Sequence, residues 1–161
     1  MANTLILLRH SKSAWPQDGT PDAQRPLAGR GRRDAPAVGR WLRRHAPPID
    51  LVVCSPAMRA RQTWRLAAAQ LEAEPPVRYE ERLYGSGAEV FLLLARELPN
   101  EASTVALVAH NPSLEDFLQL LTGAVELLKT SAIAVMTTPA SWAQARPGSW
   151  ELDALATPRG E

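Results

Sequence analysis

The chain has 161 residues, 45% of them apolar, and its 18 basic and 17 acidic side chains leave a formal charge of +1. That length and composition predict a single globular domain over residues 1–161, and so close a charge balance excludes a strongly electrostatic binder of nucleic acid or membrane. One cysteine, Cys54, excludes a disulfide framework and a thiolate metal cluster; with no basic leader and no membrane-length apolar run, the cytoplasm is the expected compartment.

Leu5 to Leu8 form a short apolar run, the pattern of a strand buried on both faces, and run straight into Arg9-His10. Ser13 to Pro26 holds Pro16, Gly19, Pro21 and Pro26 and predicts a long surface loop beside the end of that strand. A helix follows in which Ala35, Val38, Trp41 and Leu42 make one apolar stripe, with Pro36 blurring its start. Leu51 to Cys54 is a second buried strand; Ser55-Pro56 then offers an N-cap and a first-turn proline for a helix from Ala57 to about Leu71. Beyond Pro75-Pro76 come a short strand at Val77 to Tyr79 and a helix over Ala88 to Leu98.

Thr104 to Val108 is a third buried strand, and it too ends in a histidine, His110, before Asn111-Pro112 starts a helix that Gly123 ends. Ile133 to Thr137 and Trp150 to Leu155 read as a long-looped hairpin, and Thr157 to Glu161 as a frayed tail. The whole predicts a three-layer α/β/α sandwich with a mostly parallel central sheet.

Two of the three histidines thus end buried strands, the rim at which open α/β sheets bind ligands. A neutral imidazole attacks phosphorus to give a covalent phosphohistidine. Arg9 beside His10 can clamp phosphoryl oxygens in a bidentate way. Arg59 falls in a first helical turn, where a cation is unfavourable unless an anion sits there too. His110 supplies a further donor for charge gathering in the transition state. The remaining arginines, Arg61 and Arg65 among them, read as solvated helix faces, and His45 as structural or exposed.

Leu8-Arg9-His10-Ser11-Lys12, Ser55-Pro56 with Arg59 and Gln62-Thr63, and Val108-Ala109-His110-Asn111-Pro112 resemble the motifs of the histidine phosphatase superfamily, whose fold is phosphoglycerate mutase-like. Arg25-Pro26-Leu27 and Gly31 to Ala35 are similar to its compact SixA-type phosphohistidine phosphatases. The resemblance implies His10 as nucleophile, Arg9 and Arg59 as phosphate clamps and His110 as the second phosphate-binding histidine. It adds Arg25, Lys12 and Asn111 as candidate phosphate or substrate contacts, and implies a hydrolase that needs no metal or other cofactor.

One departure bears on chemistry. The superfamily commonly carries an acidic residue where Gly85 stands in Leu83-Tyr84-Gly85-Ser86, leaving Glu81, Glu89 and Glu115 as candidate acids. Protonating an alkoxide leaving group is worth about 10²–10⁴ in rate, so without an acid the expected substrate is phosphohistidine or another activated phosphoryl group. The expected partner is a phosphorylated protein or a small phosphorylated molecule. Alternatives are a small-molecule phosphomonoesterase or mutase, and a non-catalytic phosphoprotein-binding module. A cysteine-phosphatase loop is disfavoured, because four residues rather than five separate Cys54 from Arg59. No dinucleotide or nucleotide phosphate loop is present.

Overall fold

In the computed structural model, which describes residues 2–16 and 18–160, six strands form one sheet in the order β3-β2-β4-β1-β5-β6. The strands are β1 (Asn3–Arg9), β2 (Leu51–Cys54), β3 (Val77–Tyr79), β4 (Thr104–Ala109), β5 (Ile133–Thr138) and β6 (Glu151–Ala156). β1 to β4 run parallel; β5 is antiparallel to β1 and to β6. The expected long-looped hairpin is therefore present as β5 and β6 at one edge.

Four helices cover the sheet: α1 (Gly29–His45), α2 (Met58–Ala68), α3 (Ala88–Arg96) and α4 (Ser113–Thr122). Side chains of a strand alternate between faces, and β1 shows the result. Ile6 and Leu8 pack with Val38, Leu42 and Trp64 of α1 and α2, whereas Leu5 and Leu7 pack with Phe91 and Phe117 of α3 and α4. The sheet is thus buried on both faces in an α/β/α sandwich, which is why its central strands read as unbroken apolar runs.

Three expectations need correction. Helix α1 starts seven residues before Pro36, which lies inside it. The early start was masked by Gly29 and Gly31, poor helix formers, but a Cβ on Gly31 would stand 2.1 Å from the Lys12 carbonyl oxygen. Glycine there is what lets α1 press against the segment after His10. Ser55 and Asn111 are not helix caps: α2 and α4 begin at Met58 and Ser113, and both polar side chains are used in the site instead. The tail, finally, is tied down. Arg159 donates to buried Asp34 at 3.0 Å and to the Thr130 carbonyl at 2.9 Å, and the Gly160 amide reaches Asp34 at 2.9 Å. A buried carboxylate needs such partners, and the C-terminal segment supplies them; Glu161 lies outside the described residues. Among the described residues no helix is long and apolar enough to cross a membrane.

Candidate active site

The carboxyl ends of β1, β2 and β4 meet at one rim, because β4 lies between β1 and β2 in parallel register. His10 and His110 are thereby brought together, their ring centres 5.2 Å apart. A Ser11–Thr63–Arg59 relay locks the loop that follows β1: the Ser11 amide donates to Thr63 Oγ1 at 2.9 Å, and that hydroxyl donates to the Arg59 carbonyl at 2.7 Å. On the other side Ser11 Oγ pairs with Ser131 Oγ at 2.7 Å.

His10 is 7% exposed, and its Nδ1 lies 2.7 Å from the Ser11 carbonyl oxygen. A carbonyl only accepts, so Nδ1 carries the proton and the lone pair of the neutral ring sits on Nε2. Burial lowers the His10 pKa to about 3, despite the opposing Ser11 bond and with lesser help from the nearby His110, Arg59 and Arg9. The ring is neutral and nucleophilic at physiological pH.

His110 Nε2 lies 2.8 Å from Ser55 Oγ, which itself accepts the Ala57 amide at 3.2 Å. A hydroxyl oxygen has two lone pairs, so Ser55 can hold His110 in either tautomer, its proton going to a bare Nε2 or its second lone pair accepting an Nε2–H. Among the described residues His110 Nδ1 is buried without a partner, as is Arg9 Nε. Burial, then Arg59, lowers the His110 pKa to about 4, with Asp22 opposing. Buried polar atoms left unpaired are costly, and two of them stand at this rim.

The two arginines are held differently. Arg9 Nη1 donates to the Leu128 carbonyl at 2.9 Å, on the loop between α4 and β5. Arg59 Nη1 donates to the Asp22 carbonyl at 2.8 Å and Nη2 to Asp22 Oδ2 at 3.0 Å. Asp22 also accepts the Tyr84 hydroxyl at 2.6 Å; this bond foremost, with those from Arg25 and Arg59, holds its pKa far below the ordinary carboxylate value. Tyr84 lies edge-on to His110 with ring centres 5.5 Å apart.

Asp22 and Tyr84 are site residues that the sequence did not single out, and Ser55 and Thr63 entered only as parts of a motif, Ser55 as an expected helix cap. Asp22 sits in the short helical turn Asp22–Gln24 of the Ser13–Pro26 loop, whose Gln17 lies outside the described residues. Nothing local marks it, but Ser55 ends a strand and Tyr84 precedes Gly85, so position alone could have nominated both.

Among the weaker candidates, Arg25 spends its donors inside that loop, on the Ala14 carbonyl, Asp22 Oδ1 and Ser13 Oγ. Its guanidinium also covers Trp15, 3.3 Å from the ring centre. It therefore positions Asp22. Lys12 is exposed, and Asn111 Nδ2 donates to Leu128 at 2.7 Å, sharing that carbonyl with Arg9. Gly85 is exposed at φ +87° with no atom near its Cβ direction. Glu81 and Glu89 are exposed, and Glu115 accepts the Leu128 amide at 2.7 Å. Glu115 thus braces the loop that holds Arg9, and the carboxylate that does reach the site is Asp22.

Cys54 is fully buried, its Sγ 3.3 Å from the Ser55 carbonyl oxygen, and burial pushes its pKa up to about 12. A thiol so held is not a nucleophile. Among the described residues no three His, Cys, Asp or Glu side chains converge as ligands of a metal.

Residues 5–86 match the family described as the histidine phosphatase superfamily (branch 1). The uncharacterized protein Rv1276c of Mycobacterium tuberculosis is 39% identical over 163 residues, covering 94% of this chain and 100% of its own length. Among solved structures, a candidate phosphohistidine phosphatase SixA from Nakamurella multipartitia superposes with a TM-score of 0.88 at 33% identity, covering 98% of this chain and 97% of that one. The protein histidine phosphatase SixA complexed with tungstate gives 0.82 at 23% identity, over 96% and 97% of the two chains, and shows the shared fold.

Proposed function

Because this chain belongs to the histidine phosphatase superfamily, in its SixA-type branch, we propose that it hydrolyses phosphohistidine in a protein through a covalent phosphohistidine on His10. The observation that carries this is the fixed tautomer of His10. Its Nδ1–H is committed to the Ser11 carbonyl, which leaves Nε2 as the attacking atom.

The Nε2 lone pair attacks phosphorus while the bond to the leaving nitrogen breaks; that nitrogen takes the bonding pair and, because its ring is protonated at the other nitrogen, departs as neutral imidazole without a proton from the site. Arg9, Arg59 and His110 hold the equatorial oxygens and offset the charge on them. Water then attacks the phosphoenzyme, releasing orthophosphate and a proton and returning His10 neutral. Asp22 is ionised and held by Arg59, Arg25 and Tyr84, so the resting site holds no ready proton for a poor leaving group. That favours phosphoramidates such as a ring-protonated phosphohistidine, whose nitrogen leaves without taking up a proton, over alkyl phosphates.

The test is a burst experiment with a radiolabelled phosphohistidine protein. The wild type should trap about one acid-labile, alkali-stable phosphate per chain, and His10→Ala none. Label retained by His10→Ala, or turnover without a trapped intermediate under any quench, overturns the assignment.

A further inference from the structure

Strand β3 is the outer edge of the sheet and pairs with β2 alone. Pairing to β2 uses the Pro76 carbonyl and the Glu80 amide, and register places Arg78 opposite Val53. Backbone groups of successive strand residues point to opposite sides, so the amides and carbonyls of Val77 and Tyr79 face outward, away from the sheet. The side chains of the same two residues turn toward α2. With Met58, Arg61, Trp64 and Arg65 they wall a groove of about 400 Å³ between helix and edge strand.

The groove has the composition of a peptide site. Tyr79 is 52% exposed, Met58 39% and Val77 37%, so its walls offer apolar contact. The Arg61 guanidinium lies 4.7 Å from the Tyr79 ring centre. Neither Arg61 nor Arg65 has a carboxylate partner among the described residues, and one acid, Glu74, lies at the far end. The indole N–H of Trp64, in the same wall, is buried without a hydrogen-bond partner among the described residues. The groove also leads to the phosphate clamp, since Met58 precedes Arg59 and α2 runs about 15 Å from there to Ala68.

We infer that this groove docks an extended acidic segment of the phosphoprotein substrate, added as a strand to the Val77–Tyr79 edge with carboxylates on Arg61 and Arg65. The inference rests on the phosphoprotein reading above. Main-chain bonds to an edge supply affinity and alternate side chains supply selectivity. Arginines at the rim of the groove select for acidic sequence around the phosphorylated residue and speed encounter. The strand is three residues long and follows Pro75-Pro76, so the pairing is short and the edge is guarded against longer partners.

The test separates docking from catalysis. A fluorescein-labelled, unphosphorylated heptapeptide alternating valine with glutamate is titrated by anisotropy against the full chain. It should bind, more weakly as salt rises, and the lysine-for-glutamate counterpart should not. Arg61→Glu/Arg65→Glu should weaken binding about tenfold or more, and Tyr79→Ala should weaken it without altering the salt slope. Both variants should release phosphate from free phosphohistidine as the wild type does, which also reports on folding.

Equal binding by wild type and Arg61→Glu/Arg65→Glu, or no binding by the wild type, overturns the docking proposal. So does a concentration-dependent dimer that Tyr79→Ala dissolves, because the groove would then be filled by a second copy. If the peptide binds as described but His10→Ala still forms labelled enzyme, the catalytic assignment fails and the docking site stands.

Discussion

The carboxylate of Asp22 occupies the guanidinium of Arg59, with Oδ2 at 3.0 Å from Nη2. A phosphoryl group clamped by Arg59 competes with that carboxylate or displaces it. Asp22 belongs to a loop outside the sheet, and Arg25 holds its other oxygen at 3.0 Å. The clamp is therefore masked by an internal anion that half-faces solvent. Asp22→Asn removes the charge and retains the shape. Inhibition by orthophosphate should tighten about three- to tenfold, the scale of a partly exposed ion pair together with relief of anion repulsion. An unchanged inhibition constant would show that phosphate does not contend with Asp22.

Ser55 positions His110 and does not itself touch phosphorus in the proposed mechanism. Ser55→Ala removes the 2.8 Å contact to Nε2 and frees the ring to reorient. The first step, phosphoryl transfer to His10 read as the burst rate of phosphoenzyme formation, should slow about tenfold with KM little changed. His110→Ala should cost more, about 10²–10³, the usual worth of a transition-state donor. Equal losses in the two variants would mean that Ser55 acts directly. Restoration of the rate by Ser55→Thr, which keeps a hydroxyl, would support positioning.

The strand-end histidines and Arg9 were legible because parallel strands buried on both faces write continuous apolar runs, and the residue after such a run lies at the rim. Arg59 was legible from charge against helix polarity. Asp22 was not, because its place depends on how a loop of prolines and glycines folds back over the rim. Among the described residues it is Arg25, Arg59 and Tyr84, distant in sequence from one another, whose side chains hold its carboxylate there. The tail misled for a similar reason: Arg159 and Gly160 are ordered by Asp34, a buried acid 125 and 126 positions away. Composition near the chain end holds no trace of it.

Both site histidines have folded pKa values below the ordinary 6.5, about 3 for His10 and about 4 for His110. The unfolded chain then binds more protons than the folded one between those values and 6.5. Stability is fullest above that pH and falls as acid is added, on the order of 1 kcal/mol per histidine by pH 5.5. Carboxylates titrate lower and contribute little in that interval. Urea unfolding at pH 7.5 and 5.5 should show the loss, and His10→Ala should show less of it. Corrected for ionisation of the substrate, the burst rate should have no step near pH 6.5. Such a step, or a stability flat between the two pH values, would contradict the buried neutral pair.

Two glycines of α1 separate the demands of the fold from those of the site. A Cβ at Gly39 would stand 2.0 Å from the Ala67 carbonyl oxygen, and one at Gly31 would stand 2.1 Å from that of Lys12. Both clashes are with backbone, so helix or loop must move, and overpacking of this kind costs about 1–3 kcal/mol. Gly39 faces α2 near its end, far along the helix from Arg59, so Gly39→Ala should lower the melting temperature and leave the activity of the folded fraction nearly intact. Gly31 faces the segment that follows His10, whose Ser11 carbonyl fixes the nucleophile. Gly31→Ala should lose a similar amount of stability but also slow phosphoenzyme formation, measured well below its melting temperature. If both variants kept full activity, the Ser11–Lys12 segment would not set the geometry of His10; if both lost it, the effect would come from general loosening of α1.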